Sequence, residues 1–106
     1  AMKDAASLLI GTHDFSSFRS STCQASNPVR TLKRLDIERE GNSILFHFEA
    51  DGFLKQMVRN IVGTLVYVGR GKFEPLTIKK RLENKNRSSA GPTAPPQGLF
   101  LIEVRY

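Results

Sequence analysis

One cysteine, two histidines and no tryptophan occur in this chain of 106 residues. Cys23 has no second cysteine to form an internal disulfide with. With only His13 and His47 beside it, a zinc cluster cannot be assembled. That cysteine usage suits a reducing, cytoplasmic setting. Long apolar runs are also missing. Lys, Arg, Gly or Asn interrupts every stretch well short of the ~20 residues a membrane span needs, so no membrane partner is expected. Nor is there a charged-then-apolar leader with a small-residue cleavage site, and secretion is not expected.

What is present is ordinary globular composition, with 40% apolar and 25% charged residues. A chain of this length buries roughly 60–70% of its unfolded surface around one core, so it folds without disulfides or metal. Ala1-Met2 reads as an artificial start, and residues 3–106 as a single domain without internal repeats or a long linker.

Acidic residues are scarce in one third of the chain. Overall there are 16 Lys and Arg against 10 Asp and Glu, a net charge of +6. Residues 1–52 hold six basic and seven acidic side chains, and residues 88–106 one of each. Residues 53–87 hold nine basic side chains, including Lys55, Arg59 and Arg87, against only Glu74 and Glu83. Such a block is the electrostatic footprint of a polyanion binder. Charge alone leaves a solvated helical face equally open.

Periodicity predicts the elements. Asp4 to Ile10 is a short helical stretch that Gly11 stops, and residues 12–28 are polar and irregular. Val29–Glu40 and Ser43–Asp51 form a hairpin through Gly41-Asn42. In its second strand Ile44, Phe46, Phe48 and Ala50 face one way, and Leu45, His47 and Glu49 the other. Phe53 to Val68 changes to helical spacing, with Leu54, Met57, Val58, Ile61, Val62, Leu65 and Val68 as its apolar stripe. Pro75 opens a second helix that turns Leu76, Ile78 and Leu82 inward. Residues 87–97 are a loop broken by prolines, and a last strand alternates through Phe100, Ile102, Val104 and Tyr106. The order α-β-β-α-α-β implies an α+β domain, a small mixed or antiparallel sheet with helices on one face.

Several groupings carry possible chemistry. His13-Asp14 could serve acid–base catalysis, but adjacent side chains rarely converge on one atom, and Asp14 is well placed to cap the next turn. A Cys23–His13 dyad rests only on both residues being present. Two aromatics on the Ile44–Phe48 strand resemble an RNA-recognition sheet superficially, yet the flanking Gly and Lys/Arg are missing, and core is the better reading. The segment Met57–Gly63 is more informative. Arg59, Gly63 and Gln56 lie opposite the apolar stripe, with Gly63 one turn beyond Arg59. A mid-helix glycine costs ~1 kcal/mol, which is tolerated where another backbone must approach. Arg59 beside that gap could reach a carboxylate or phosphate; a plain surface arginine is the alternative.

Gly11-Thr12-His13-Asp14-Phe15-Ser16-Ser17-Phe18-Arg19, Cys23-Gln24, Phe53-Leu54, Met57-Val58-Arg59-Asn60-Ile61-Val62-Gly63-Thr64-Leu65, Val68-Gly69, Thr93-Ala94-Pro95 and Gly98-Leu99-Phe100-Leu101 together resemble the C-terminal domain of the tRNA pseudouridine synthase A family. The resemblance runs through nearly the whole chain in order and spacing. It implies half of a pseudouridine synthase fold, in an enzyme that isomerises uridine to pseudouridine in the anticodon stem-loop of tRNA. It further implies a homodimer of two-domain chains, with no metal or organic cofactor. The partners implied are tRNA and the N-terminal domain of the same enzyme.

That N-terminal domain would carry the essential aspartate in an Arg-Thr-Asp motif. Here none of Asp4, Asp14, Asp36 or Asp51 follows an Arg-Thr pair. By resemblance, Arg59 is the supporting catalytic residue that pairs with the missing aspartate, and Leu99 lines the uracil pocket. Gly63, Arg19, Lys55 and Arg87 complete the expected substrate-binding set. Two other readings remain: a stand-alone, non-catalytic RNA-binding module, and a structural dimerisation domain that would leave the basic block unexplained.

Overall fold

Alternating apolar residues in 43–50 place one strand at the heart of a four-stranded sheet, and the other elements follow from what covers it. The computed structural model describes residues 2–19, 27–41, 43–54, 56–84, 87, 90, 91 and 100–105. In chain order these form α1 (Met2–Ser7), β1 (Gly11–Asp14), β2 (Val29–Glu40), β3 (Ser43–Ala50), α2 (Met57–Gly69), α3 (Ile78–Glu83) and β4 (Phe100–Arg105). Short 3-10 turns at Ser16–Phe18 and Pro75–Thr77 precede β2 and α3. The sheet order is β1-β2-β3-β4, antiparallel except for the parallel pair β3–β4. The α+β class expected from the element pattern is therefore the observed one.

Phe46, Phe48 and Ala50 of β3 and Leu35 and Ile37 of β2 face the helices. There they meet Ile61, Leu65 and Val68 of α2 and Ala5 and Ala6 of α1 in one core. The opposite face carries Leu45 among mostly charged residues. Asp36, His47 and Glu103 stand in register across β2, β3 and β4, as do Arg34, Glu49 and Arg105. Arg34 pairs with Asp36, and His47 Nδ1 lies 3.5 Å from Glu103.

The hairpin turn at Gly41 has φ +57°, the left-handed conformation a two-residue connection between Glu40 and Ser43 demands. The end of α2 is likewise set by glycine. Gly71 at φ +77° lets its own N–H reach Val68 O at 3.0 Å, and Lys72 N–H reach Tyr67 O at 2.9 Å. That is the paired bonding of a Schellman stop.

Five local expectations are corrected. Residues 11–14 are not irregular: they form β1, paired Gly11↔Leu32 to Asp14↔Val29, although their own sequence has no strand pattern. Helix α1 ends at Ser7 rather than Ile10, because Gly11 at φ +112° starts the strand and the turn before it must already have left the helix. Helix α2 begins at Met57 rather than Phe53, since Gln56 at φ +60° breaks helical continuity. Leu76 does not point inward. It sits in the 3-10 turn, whose three-residue period rotates it away from Ile78, and it is 80% exposed. Gly63 does not sit on a solvent side of α2. It is buried together with Asn60 and Thr64, so α2 has a second packed face.

Candidate functional site

The second face of α2 is held by a polar circuit rather than by apolar contacts. Asn60 is fully buried, and its Nδ2 donates to Phe18 O at 2.6 Å. Its Oδ1 accepts from Arg87 Nη2 at 3.2 Å. The other fork of Arg87, Nη1, donates to Gly91 O at 2.7 Å. Gly91 N–H donates to Thr64 Oγ1 at 2.9 Å, and Thr64 Oγ1 donates back to Asn60 O at 2.8 Å. A buried amide left without partners costs about 1–3 kcal/mol, so each closed bond in this ring resists opening.

The circuit gathers three arginine-bearing segments. Arg59 adjoins Asn60 on the first turn of α2, Arg19 follows Phe18, and Arg87 bonds Asn60 directly. Arg59 and Arg19 are both half-buried. The N-cap residue Gln56 makes no side-chain capping bond among the described residues, and the first turn of α2 holds no acidic residue. The positive end of the helix dipole therefore adds to Arg59, and this corner suits a carboxylate or phosphate.

Gly63 lies beneath the chain at residues 90–91. A methyl group placed on Gly91 would come within 2.9 Å of Thr64 Cα and 3.4 Å of Gly63 O. The backbone approach that a mid-helix glycine suggests thus occurs inside the domain. Leu99, Lys55 and Cys23, the half of the expected dyad that His13 would need, lie outside the described residues.

Asp14 has a structural task. Its carboxylate accepts from Ser16 N–H at 2.9 Å and also from the Ser16 hydroxyl, which fixes the 3-10 turn leading to Phe18. His13 points elsewhere, with Nε2 3.0 Å from Ile10 O and its ring edge-on to Phe15. Ser17 extends the same scaffold by donating to Arg81 O at 2.8 Å at the end of α3. Sequence reading missed Asn60 and Thr64. Their spacing of four beside Gly63 was the available signal, since two polar residues and a glycine on one face suit backbone packing. Among the described residues, no group of three His, Cys, Asp or Glu is placed to hold a metal. Among those residues too, no helix is long and apolar enough to cross a membrane.

The first turn of α2 with Arg59, the Phe18-Arg19 turn tied to it through Asn60, and Arg87 on the returning loop thus meet in one small α+β domain. Comparison with known families is more specific: residues 5–106 match the model of the tRNA pseudouridine synthase family. The chain belongs to that family. It is 52% identical over 106 residues to tRNA pseudouridine synthase A of Acidiphilium cryptum, covering 100% of this chain and 42% of that protein. The enzyme of the same name from Orientia tsutsugamushi (strain Ikeda) is 52% identical, over 99% of this chain and 38% of its own length. That of Neorickettsia sennetsu is 50% identical, over 99% and 42%. The chain thus spans about two fifths of the curated relatives it matches.

Proposed function

We propose that this chain is the C-terminal domain of a cytoplasmic, homodimeric tRNA uridine-to-pseudouridine isomerase acting on the anticodon stem-loop. In such a reaction the bond from ribose C1′ to uracil N1 breaks and one from C1′ to C5 forms. The C5 proton goes to water and N1 takes one up, so nothing is oxidised or reduced. The nucleophilic aspartate would come from the N-terminal domain of the same enzyme, and Arg59 would pair with it. That pairing would keep the carboxylate ionised and aimed in a partly dry cleft. Arg19, Lys55 and Arg87 would serve the RNA side and Leu99 the extruded base, while Gly63 would act only by letting the returning loop pack on α2.

The observation that supports this reading best is the Asn60–Phe18 bond. It joins the two most family-specific segments, Gly11–Arg19 and Met57–Leu65, one residue away from Arg59. The test is a chimera in which this chain replaces the matching part of the Acidiphilium cryptum relative. Tritium release from tRNA labelled at uracil C5 is expected from the chimera and not from the 106-residue chain alone. An inactive but folded chimera, with tRNA binding retained by the chain, would favour the stand-alone RNA-binding module instead.

A further inference from the structure

Cations on the sheet and cations on the helices differ in whether carboxylates stand beside them. On the open face of the sheet charges are mixed, Asp36, Glu49 and Glu103 standing beside Arg34 and Arg105, which pair with Asp36 and Glu103. Among the described residues, Arg59, Arg70, Lys72, Lys79, Lys80 and Arg81 of the basic block lie on α2, α3 and the turn between them. At the far end of α2 from Arg59, exposed Arg70 and Lys72 follow the helix stop. Lys72 Nζ stands 5.8 Å from the centre of the Tyr67 ring. Tyr67 packs edge-on against Phe73 with ring centres 5.2 Å apart. Arg81, from α3, stacks on Phe73 at 3.5 Å and donates through Nε to Thr77 Oγ1 at 3.2 Å. Two separate helix ends are thereby clasped through one aromatic pair. Lys80 lies next to Arg81 on the outer surface, because Ile78 and Leu82 fix the inward face of α3.

The ion pairs among the described residues do not include Arg70, Lys72 or Lys80. Cations near a helix C-terminus are favourable one helix at a time. That does not account for an aromatic clasp holding two such ends together, where like charges repel. We propose that this surface, Arg70, Lys72 and Lys80 around the Tyr67–Phe73–Arg81 stack, is a docking site for an RNA phosphodiester backbone, distinct from the Arg59 corner. The two lie about 16 Å apart along α2, at 1.5 Å per residue from Arg59 to Arg70. A bound RNA can therefore touch both through different phosphates. Side chains already ordered by stacking lose little rotamer freedom when a phosphate arrives.

This inference rests on the RNA reading of the basic block, and its test separates the two. Binding of an unmodified tRNA transcript to the 106-residue chain is measured over a salt series. The compared proteins are the unaltered chain, a Lys72→Gln/Lys80→Gln double variant, and a Lys33→Gln/Arg39→Gln control on β2. Each phosphate contact contributes about 0.7–0.9 to the slope of log affinity against log salt. The double variant is expected to flatten that slope by roughly 1.4–1.8, and the control to leave it unchanged. A wild-type slope in the double variant, or equal flattening in the control, overturns this surface while leaving the RNA reading intact. Absence of tRNA binding by the unaltered chain at every salt overturns both. Binding to phosphatidylserine vesicles that the double variant loses, with tRNA binding unchanged, assigns the surface to lipid and overturns it as an RNA site.

Discussion

The Oδ1 atom of Asn60 and the Nη2 atom of Arg87 meet at 3.2 Å, and the fate of both residues follows from that bond. A buried amide oxygen gains a charged donor, and the arginine has one fork in the protein interior rather than towards solvent. Its second fork lies on Gly91 O. Arg87 therefore shapes the returning loop whether or not it also reaches RNA.

Asn60→Ala is expected to destabilise the chain by about 2–4 kcal/mol, since it strands Phe18 O and one fork of Arg87 and leaves a cavity. Urea unfolding followed by circular dichroism measures this. A loss below about 0.5 kcal/mol, the range of ordinary surface substitutions, would show the circuit to be dispensable.

Gly91→Ala places a methyl group 2.9 Å from Thr64 Cα, a contact with backbone that cannot rotate away. The loop must lift, weakening the bonds from Gly91 to Thr64 and Arg87. The expected cost is about 1–3 kcal/mol, read as a lowered melting temperature. An unchanged melting temperature would contradict the packing of this loop on α2.

Asp14→Ala should cost about 1 kcal/mol by freeing Ser16 N–H and its hydroxyl, whereas Asp14→Asn should recover most of that loss. In the active chimera, Asp14→Asn should keep the catalytic rate. A collapse in rate with normal stability would return Asp14 to acid–base chemistry.

Arg59→Ala should leave stability nearly unchanged, because Arg59 is half-buried beside the core rather than part of it. In the chimera, on the proposed pairing with the aspartate, it would remove a charge-assisted contact worth roughly 1.5–3 kcal/mol. Single-turnover rates at saturating enzyme should fall by a factor on the order of tens to hundreds. Binding of tRNA should weaken much less. A wild-type rate would take Arg59 out of the site. Weaker binding with the rate restored at saturation would make it a phosphate contact.

The elements that local periodicity encodes were readable from residue order alone. The β2–β3 hairpin and the inward stripe of α2 repeat a two- or 3.6-residue pattern because their apolar positions pack into one core, whereas Ile102 and Val104 of β4 keep the alternation while staying exposed. The family-specific runs around His13 and Arg59 were equally legible, and so was the basic block. Gly11–Asp14 was not, because a polar strand becomes one only when β2 supplies its hydrogen bonds, some twenty residues away. Leu76 and the first turn of α2 were misjudged because backbone rotation, at a 3-10 turn and at left-handed Gln56, overrode apolar spacing. The packed second face of α2 lay furthest from the sequence. Asn60, Thr64 and Gly63 look like a polar flank until Phe18, Arg87 and Gly91 return to them. Bonds between residues 27 and 42 positions apart leave no periodic trace. Only chain closure in three dimensions could decide that this flank is interior and that the segments bearing Arg19, Arg59 and Arg87 meet at Asn60.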